Sequence, residues 1–345
     1  MERFPAHVPS SLWVAPEPTL LLAADIGGTK ANLALFRAQG GPLVPVREAT
    51  VPTAAYPSAA ALVKSFLGEN PPGLAGACIG VAGPIRRGRV QAPNLPWTVA
   101  EEELAALGVP RVLLINDLVA TAHGLGELPE DRFALLQGGC PDPEGNEALL
   151  AAGTGLGQTV LYGCGGRRVP AASEGGHVDF APADEVQVEL WRFLRARFGR
   201  VSVERVLSGP GLCLIHEFLE QSGRGGTGAC VRERMARQDP AAVIAEEGLR
   251  EGDPTCVAAL DLFVRVYGAA AGNLALTALA TAGVFLAGGI APKILPKLRE
   301  GAFLEAFCAK GRLAGLLEEV PVRVVLDPKA ALYGAGRCAA RAAGA

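Results

Sequence analysis

Two stretches of this chain share one layout, and that repeat restricts what it can fold into. Residues 20–36 run LLLAADIGGTKANLALF and residues 148–162 run ALLAAGTGLGQTVLY. Each is an apolar run, a turn of Gly and Thr, and a second apolar run, the pattern of a β-hairpin with buried strands. Two glycine hairpins in one chain predict a duplicated architecture rather than a single-loop nucleotide domain. Length agrees, because 345 residues exceed one comfortable core and suggest two domains with a cleft between them. Half the residues are apolar and 19% are charged, which is ample core material for a globular fold.

Between the hairpins, SAAALVKSFLGE predicts a helix, LAGACIGVAG a strand, VAEEELAAL a helix and RVLLIND a strand whose polar residues arrive at its end. The alternation favours an α/β domain, with a boundary near residues 116–120. The later half is more helical, through DEVQVELWRFLRARFG, AAVIAEEGLR and the segment 254–282. GVFLAGGI and VPVRVVLDP then predict strands, and KAALYGAGRCAARA a final helix. QSGRGGTG at 221–228 is expected to be a mobile surface loop. No charge occurs from Tyr267 to Pro292, a length that could span a bilayer. Asn273 and the Gly288-Gly289 pair interrupt it, so a buried helix followed by a core strand is the expectation, and no membrane partner.

Composition narrows the function classes. A net charge of −3 offers no general electrostatic footprint for nucleic acid. The eight cysteines form no CxxC pair and no zinc-finger spacing, so buried thiols in a reducing cytosol are expected, with an isolated disulfide as the alternative. The first 18 residues lack the continuous apolar segment of a signal peptide.

Several residues could carry chemistry. Asp25, ahead of Gly27, Gly28 and Thr29, could orient a Mg²⁺-bound water while the turn offers backbone N–H groups and a hydroxyl to phosphate. Gly153, Thr154, Gly155 and Gly157 supply a second possible cradle. Either turn alone could be an ordinary tight hairpin, and neither matches a Walker A loop or a GxGxxG fingerprint. Asn116-Asp117 lies where a core strand emerges: Asp117 is placed to accept a hydroxyl proton and Asn116 to hold a neighbouring hydroxyl. A cap on the following helix is the competing explanation. Glu174 and His177, in EGGH, could make directional hydrogen bonds to a polyol, and Asp179 could help orient it or sit in a surface turn. Glu204 is ambiguous from spacing alone, and Gly288-Gly289 could admit adenine or ribose or be a plain strand-to-helix turn.

DIGGTKANLAL, LLINDLVA, AAGTGLGQ, EGGHVDFAP, VSVERVLSGPG and VFLAGGIAPK together resemble the bacterial glucokinase family of the hexokinase and actin-like ATPase superfamily, over residues 20–340. The resemblance implies an α/β, two-domain actin-like ATPase (ribonuclease H-like) fold with an interdomain cleft. It implies a small domain, 20–116, completed by a C-terminal helix, 328–345, and a large domain, 117–327. The implied reaction is transfer of phosphate from ATP, with Mg²⁺, to the 6-hydroxyl of D-glucose at the start of glycolysis. On that resemblance Asp117 matches the catalytic base, and Asn116, Glu174, His177 and Glu204 match sugar-binding positions, with Asn94 in the stretch that approaches the sugar. Asp25 with Gly27–Thr29 and Gly153–Gly157 match the two phosphate elements, and Gly288 and Gly289 the adenosine side. A cytoplasmic homodimer that closes on sugar is implied. Two departures stand out: the lead before Leu20 is longer than the compact form of the family, and the Cys-rich zinc motif of the related repressor–kinase branch is missing after EGGHVDFAP, so no structural zinc is expected. The rivals are a kinase for mannose, fructose or an N-acetylated hexosamine, a non-catalytic sugar sensor, and a structural actin-like ATPase.

Overall fold

The structure, a computed structural model, describes residues 19–69, 73–92 and 95–344. Backbone contacts divide the chain into two compact units, one formed by residues up to Ile115 with those from Ala335 onward, the other by Asn116–Gly334.

The first unit contains β1 (Thr19–Ile26), β2 (Lys30–Ala38), β3 (Val44–Pro52), α1 (Ala59–Leu67), β4 (Gly76–Val81), β5 (Arg89–Val90), β6 (Val99–Ala100), α2 (Glu101–Ala105) and β7 (Val112–Asn116). Its main sheet has the order β3-β2-β1-β4-β7, with β1 antiparallel to β2 and parallel to β4. β1 and β4 are almost wholly buried, which explains their near-continuous apolar sequence. β3 is an edge strand facing solvent along most of its length, and its mixed sequence, VPVREATVP, carries no apolar alternation that would announce it. Helix α1 begins where the Ser58 hydroxyl accepts the Ala61 N–H and stops at Gly68, whose φ of 83° ends the helical path.

The second unit contains α3 (Asp117–Gly124), β8 (Phe133–Gln137), β9 (Glu147–Ala152), β10 (Leu156–Cys164), β11 (Arg167–Ala171), α4 (Glu185–Phe198), α5 (Gly209–Gln221), α6 (Ala229–Arg237), α7 (Pro240–Leu249) and α8 (Pro254–Ala278). It continues through β12 (Gly283–Ala287), α9 (Leu295–Leu298), α10 (Ala302–Cys308), α11 (Ala314–Glu318), β13 (Val322–Val325) and the start of α12 (Ala330–Ala343). The sheet order is β11-β10-β9-β12-β13-β8. Here β9 is antiparallel to β10 and parallel to β12, so β11-β10-β9-β12 repeats the layout of β3-β2-β1-β4. The duplication suggested by two glycine hairpins is therefore carried by whole half-sheets.

The charge-free segment resolves into the end of α8, a loop, and β12. Helix α8 is long and apolar enough to cross a membrane, yet it is mostly buried within the unit. Its Phe263 and Tyr267 rings pack edge to face, and Tyr267 meets Phe303 of α10 in the same way. Gly268 and Gly272 let the two backbones approach: a Cβ there would lie 2.1 Å from the Phe303 carbonyl oxygen and 2.4 Å from that of Phe307.

The loop at 221–228 departs from expectation, because its second half is tied down rather than mobile. Gly228 N donates to Asp253 Oδ2 at 2.9 Å, Gly226 N to Thr255 Oγ1 at 2.9 Å, and Thr227 Oγ1 meets His216 Nε2 at 2.8 Å. Asp253 Oδ1 also caps α8 through the Thr255 and Cys256 N–H groups. His216, Asp253 and Cys256 place a ligand-type atom each within 4.8 Å of one another in this buried knot. Their polar contacts bolt α5, the loop and α8 together. Composition alone signalled a solvated connector, because the partners that hold the loop lie far from it in sequence.

Candidate active site

Asn116 ends β7 and Asp117 opens α3, so the two side chains stand at a strand-to-helix junction. Asn116 is the helix cap: its Oδ1 accepts the N–H of Leu118 at 3.0 Å and of Val119 at 3.4 Å. Capping and a substrate role are compatible here, since the amide nitrogen of Asn116 is a separate donor. Asp117 is half-buried, and its Oδ1 also accepts the Leu118 N–H at 3.0 Å. Burial pushes its carboxyl above the ordinary aspartate range; the Leu118 N–H offsets part of that rise and the Glu174 carboxylate adds to it. A raised pKa makes the ionised carboxylate a better proton acceptor.

The EGGH segment is fastened to the second hairpin. Gly175 and Gly176 lie against the start of β10, where a Cβ on Gly176 would stand 1.9 Å from the Leu156 carbonyl oxygen. Ser173 Oγ donates to the Gln158 carbonyl at 2.8 Å. The His177 side chain is exposed, with Nε2 3.9 Å from Glu204 Oε1. Asp179 does not stand alone: Arg200 Nε donates to its Oδ1 at 2.8 Å while the same guanidinium donates to the His177 carbonyl at 2.7 Å. Arg200 thereby braces the 177–179 turn. Nothing in the sequence marked it, because the contact joins segments more than 20 residues apart through exposed side chains.

Glu204 belongs to a short 3-10 turn, Val203–Arg205, ahead of α5. Its Oε2 accepts the Leu156 N–H at 2.8 Å, which places the carboxylate beside the Gly153–Gly157 hairpin. Ser208 caps α5 by accepting the Gly211 N–H at 3.1 Å, and Gly209 N donates to the Gly153 carbonyl at 2.8 Å. The hairpin thus sits at the positive N-terminal end of a 13-residue helix, a setting that favours anions. Gly157 packs on Leu118, the residue after Asp117, so closely that an added Cβ would stand 2.1 Å from Leu118 Cδ1. Gly288, with φ of 83°, lies so close to Ala152 that a Cβ would stand 2.3 Å from its carbonyl oxygen. The Gly288-Gly289 turn and the hairpin therefore adjoin.

The second unit alone thus gathers Asn116, Asp117, Glu174, His177, Glu204, Gly153, Thr154, Gly155, Gly157, Gly288 and Gly289. Asp25 and Gly27–Thr29 belong to the first unit, and Asn94 lies outside the described residues. Asp25 stands at the end of β1, where its Oδ2 accepts from Asn32 Nδ2 at 3.3 Å; Asn32 Oδ1 in turn accepts from Thr50 Oγ1 at 2.9 Å. The Gly27 N–H closes the turn on the Lys30 carbonyl at 3.0 Å, and Gly28 and Thr29 are exposed. An oriented carboxylate beside exposed backbone fits a hard, oxygen-seeking cation such as Mg²⁺.

Comparison with known proteins bears on this arrangement. A family model described as Glucokinase matches residues 22–342. The glucokinase of Nostoc punctiforme is 40% identical, covering 94% of this chain and 99% of its own length. That of Synechocystis is 39% identical, covering 93% and 98%. The crystal structure of a glucokinase from an Antarctic psychrotroph superposes with a TM-score of 0.81 at 30% identity, covering 93% of this chain and 99% of the other. A ROK-family glucokinase from Streptomyces griseus, solved with glucose and AMPPNP, shares the fold at a TM-score of 0.62 and 22% identity, with 93% and 99% covered. The duplicated half-sheets are those of the two-domain actin-like ATPase fold, and the chain belongs to the glucokinase family.

Proposed function

We propose that this protein is a glucokinase, transferring the γ-phosphate of ATP to the 6-hydroxyl of D-glucose to give glucose 6-phosphate and ADP. The observation that carries the reading is the junction of a half-buried, pKa-raised Asp117 with the Glu174–His177 segment and a glycine hairpin, inside a chain of this family. Asp117 takes the proton of the 6-hydroxyl as that oxygen bonds to the γ-phosphorus. The bond to the β–γ bridging oxygen breaks, and ADP leaves with its electron pair. Asn116 Nδ2, Glu174, His177 and Glu204 supply donors and acceptors that fix the sugar hydroxyls, and Asn94 is proposed beside them. Pairing each hydroxyl disfavours analogues that leave a buried partner unmet.

Gly153, Thr154, Gly155 and Gly157, at the head of α5, are the proposed phosphate contacts of the second unit, and Gly288-Gly289 admits the adenosine portion. Gly27, Gly28 and Thr29 are the corresponding candidates of the first unit. Mg²⁺ arriving with ATP would neutralise phosphate charge, and Asp25 would hold it, through water. ATP is the proposed donor in preference to polyphosphate or ADP. The proposed location is the cytoplasm; Cys78, Cys256 and Cys338 are buried thiols as expected, whereas Cys140, Cys164 and Cys230 are exposed, because they lie at the surface outside either core. We propose a homodimer acting at the entry of glucose into glycolysis; size-exclusion chromatography with light scattering checks the assembly, and a monomer mass would remove it.

The functional reading is tested by ADP formation from Mg-ATP with glucose, mannose, fructose and N-acetylglucosamine in parallel. A signal dominated by glucose supports the reading. Preference for another sugar would keep the kinase and change its substrate. No sugar-dependent signal from folded protein would overturn it.

A further inference from the structure

Glu204 touches more than the sugar side of the site. Its Oε1 faces His177 Nε2 at 3.9 Å, while its Oε2 accepts the N–H of Leu156, the residue that closes the Gly153–Gly157 hairpin, at 2.8 Å. Gly155 leaves room for that carboxylate, since a Cβ there would lie 2.6 Å from Oε2. The backbone of Glu204 is fixed as well: its carbonyl accepts from Ser208 Oγ at 2.7 Å, and Ser208 caps α5. One residue further, Gly209 N donates to the Gly153 carbonyl at 2.8 Å. The segment 204–209 therefore grips the hairpin at both ends, through Glu204 at Leu156 and through Gly209 at Gly153.

We infer that Glu204 is a positioning residue for the nucleotide hairpin as well as a sugar ligand. The inference rests on the kinase reading above. A hairpin turn of Gly-Thr-Gly has little side-chain packing of its own to fix its N–H groups, and backbone freedom at glycine is costly to restrain. A carboxylate that accepts one of the hairpin's own N–H groups removes part of that freedom before ATP arrives.

The test is binding of the Mg²⁺ complex of AMPPNP without sugar, by titration calorimetry, to the full-length protein and to E204A, E204Q, E204D and H177A, with glucose KM measured alongside. Losing a charge-assisted hydrogen bond should weaken AMPPNP binding to E204A by about tenfold. E204Q keeps an acceptor for the Leu156 N–H and should bind AMPPNP within about threefold of wild type while its glucose KM rises about tenfold or more. H177A should lose glucose affinity and leave nucleotide affinity unchanged. Should E204A fail to fold, E204D gives the same reading, since its carboxylate is one methylene too short to reach Leu156. AMPPNP affinity in folded E204A or E204D equal to wild type would overturn the positioning role and leave the kinase reading standing. A wild-type protein that neither binds AMPPNP nor phosphorylates glucose would overturn both.

Discussion

At the scale of single residues, the account turns on Asp117. Asp117→Asn keeps the size of the side chain and its acceptor for the Leu118 N–H, so folding should persist while proton acceptance is lost. Glucose phosphorylation should fall by about 10²–10⁴-fold, the range of general-base contributions, with thermal unfolding within a few degrees of wild type. The raised pKa of Asp117 sets a second expectation. The base works only when ionised, so the acid limb of the kcat/KM–pH profile should lie above the ordinary aspartate range, with activity lost as pH falls through it. Glu174→Gln removes the negative charge that adds to the rise, so the limb should move to lower pH whatever happens to the absolute rate. A limb that stays in place would separate the two carboxylates. The sequence showed Asp117 because a lone polar pair ended an apolar strand. It also offered an Asp or Asn cap on the following helix, and the backbone turn at the junction makes Asn116 that cap while leaving its amide nitrogen as a separate donor.

Among the elements, the hairpins and the strands behind them were legible because buried strands impose long apolar runs and tight turns impose glycine. Edge strands such as β3 were not, for the opposite reason: solvent on one side permits almost any sequence. The role of Glu204 was equally hidden, because its partner, Leu156 N–H, is a backbone group 48 residues away that any residue except proline would provide. The glycines of EGGH carry a testable packing role. Gly176→Ala would drive a methyl group into the Leu156 carbonyl oxygen, which is backbone and cannot swing aside. Overpacking of this kind typically costs ~1–3 kcal/mol. Denaturant melts should show that loss, and the displaced His177 should raise the glucose KM. An unperturbed KM with normal stability would mean that the segment is held elsewhere.

For the whole molecule, the repeated β-sheet order accounts for why two glycine hairpins occur in one chain, each at the corresponding place in its own unit. Stability should respond to proton and ligand together. Burial lowers the pKa of His216 below its ordinary value of 6.5, and the opposing pull of Glu220 and Asp253 restores only part of it. Below pH 6.5 the unfolded chain binds this proton more readily than the folded one, so stability present above 6.5 should decline as pH falls toward the lowered value. Melting temperatures measured from pH 8 to pH 5 check this, with His216→Gln expected to flatten the decline. Glucose at a hundredfold excess over its dissociation constant should stabilise the folded state by about 2.7 kcal/mol, read as a rise in melting temperature that sucrose does not reproduce. The central claim is that Asp117 accepts the proton of a glucose hydroxyl as ATP gives up its phosphate. Its most direct test is single-turnover formation of glucose 6-phosphate from glucose and Mg-ATP by the wild-type protein and by Asp117→Asn. Rapid product formation by the wild type, slowed by about 10²-fold or more in a variant that still binds both ligands, is the predicted result. Equal rates in the two proteins would contradict it.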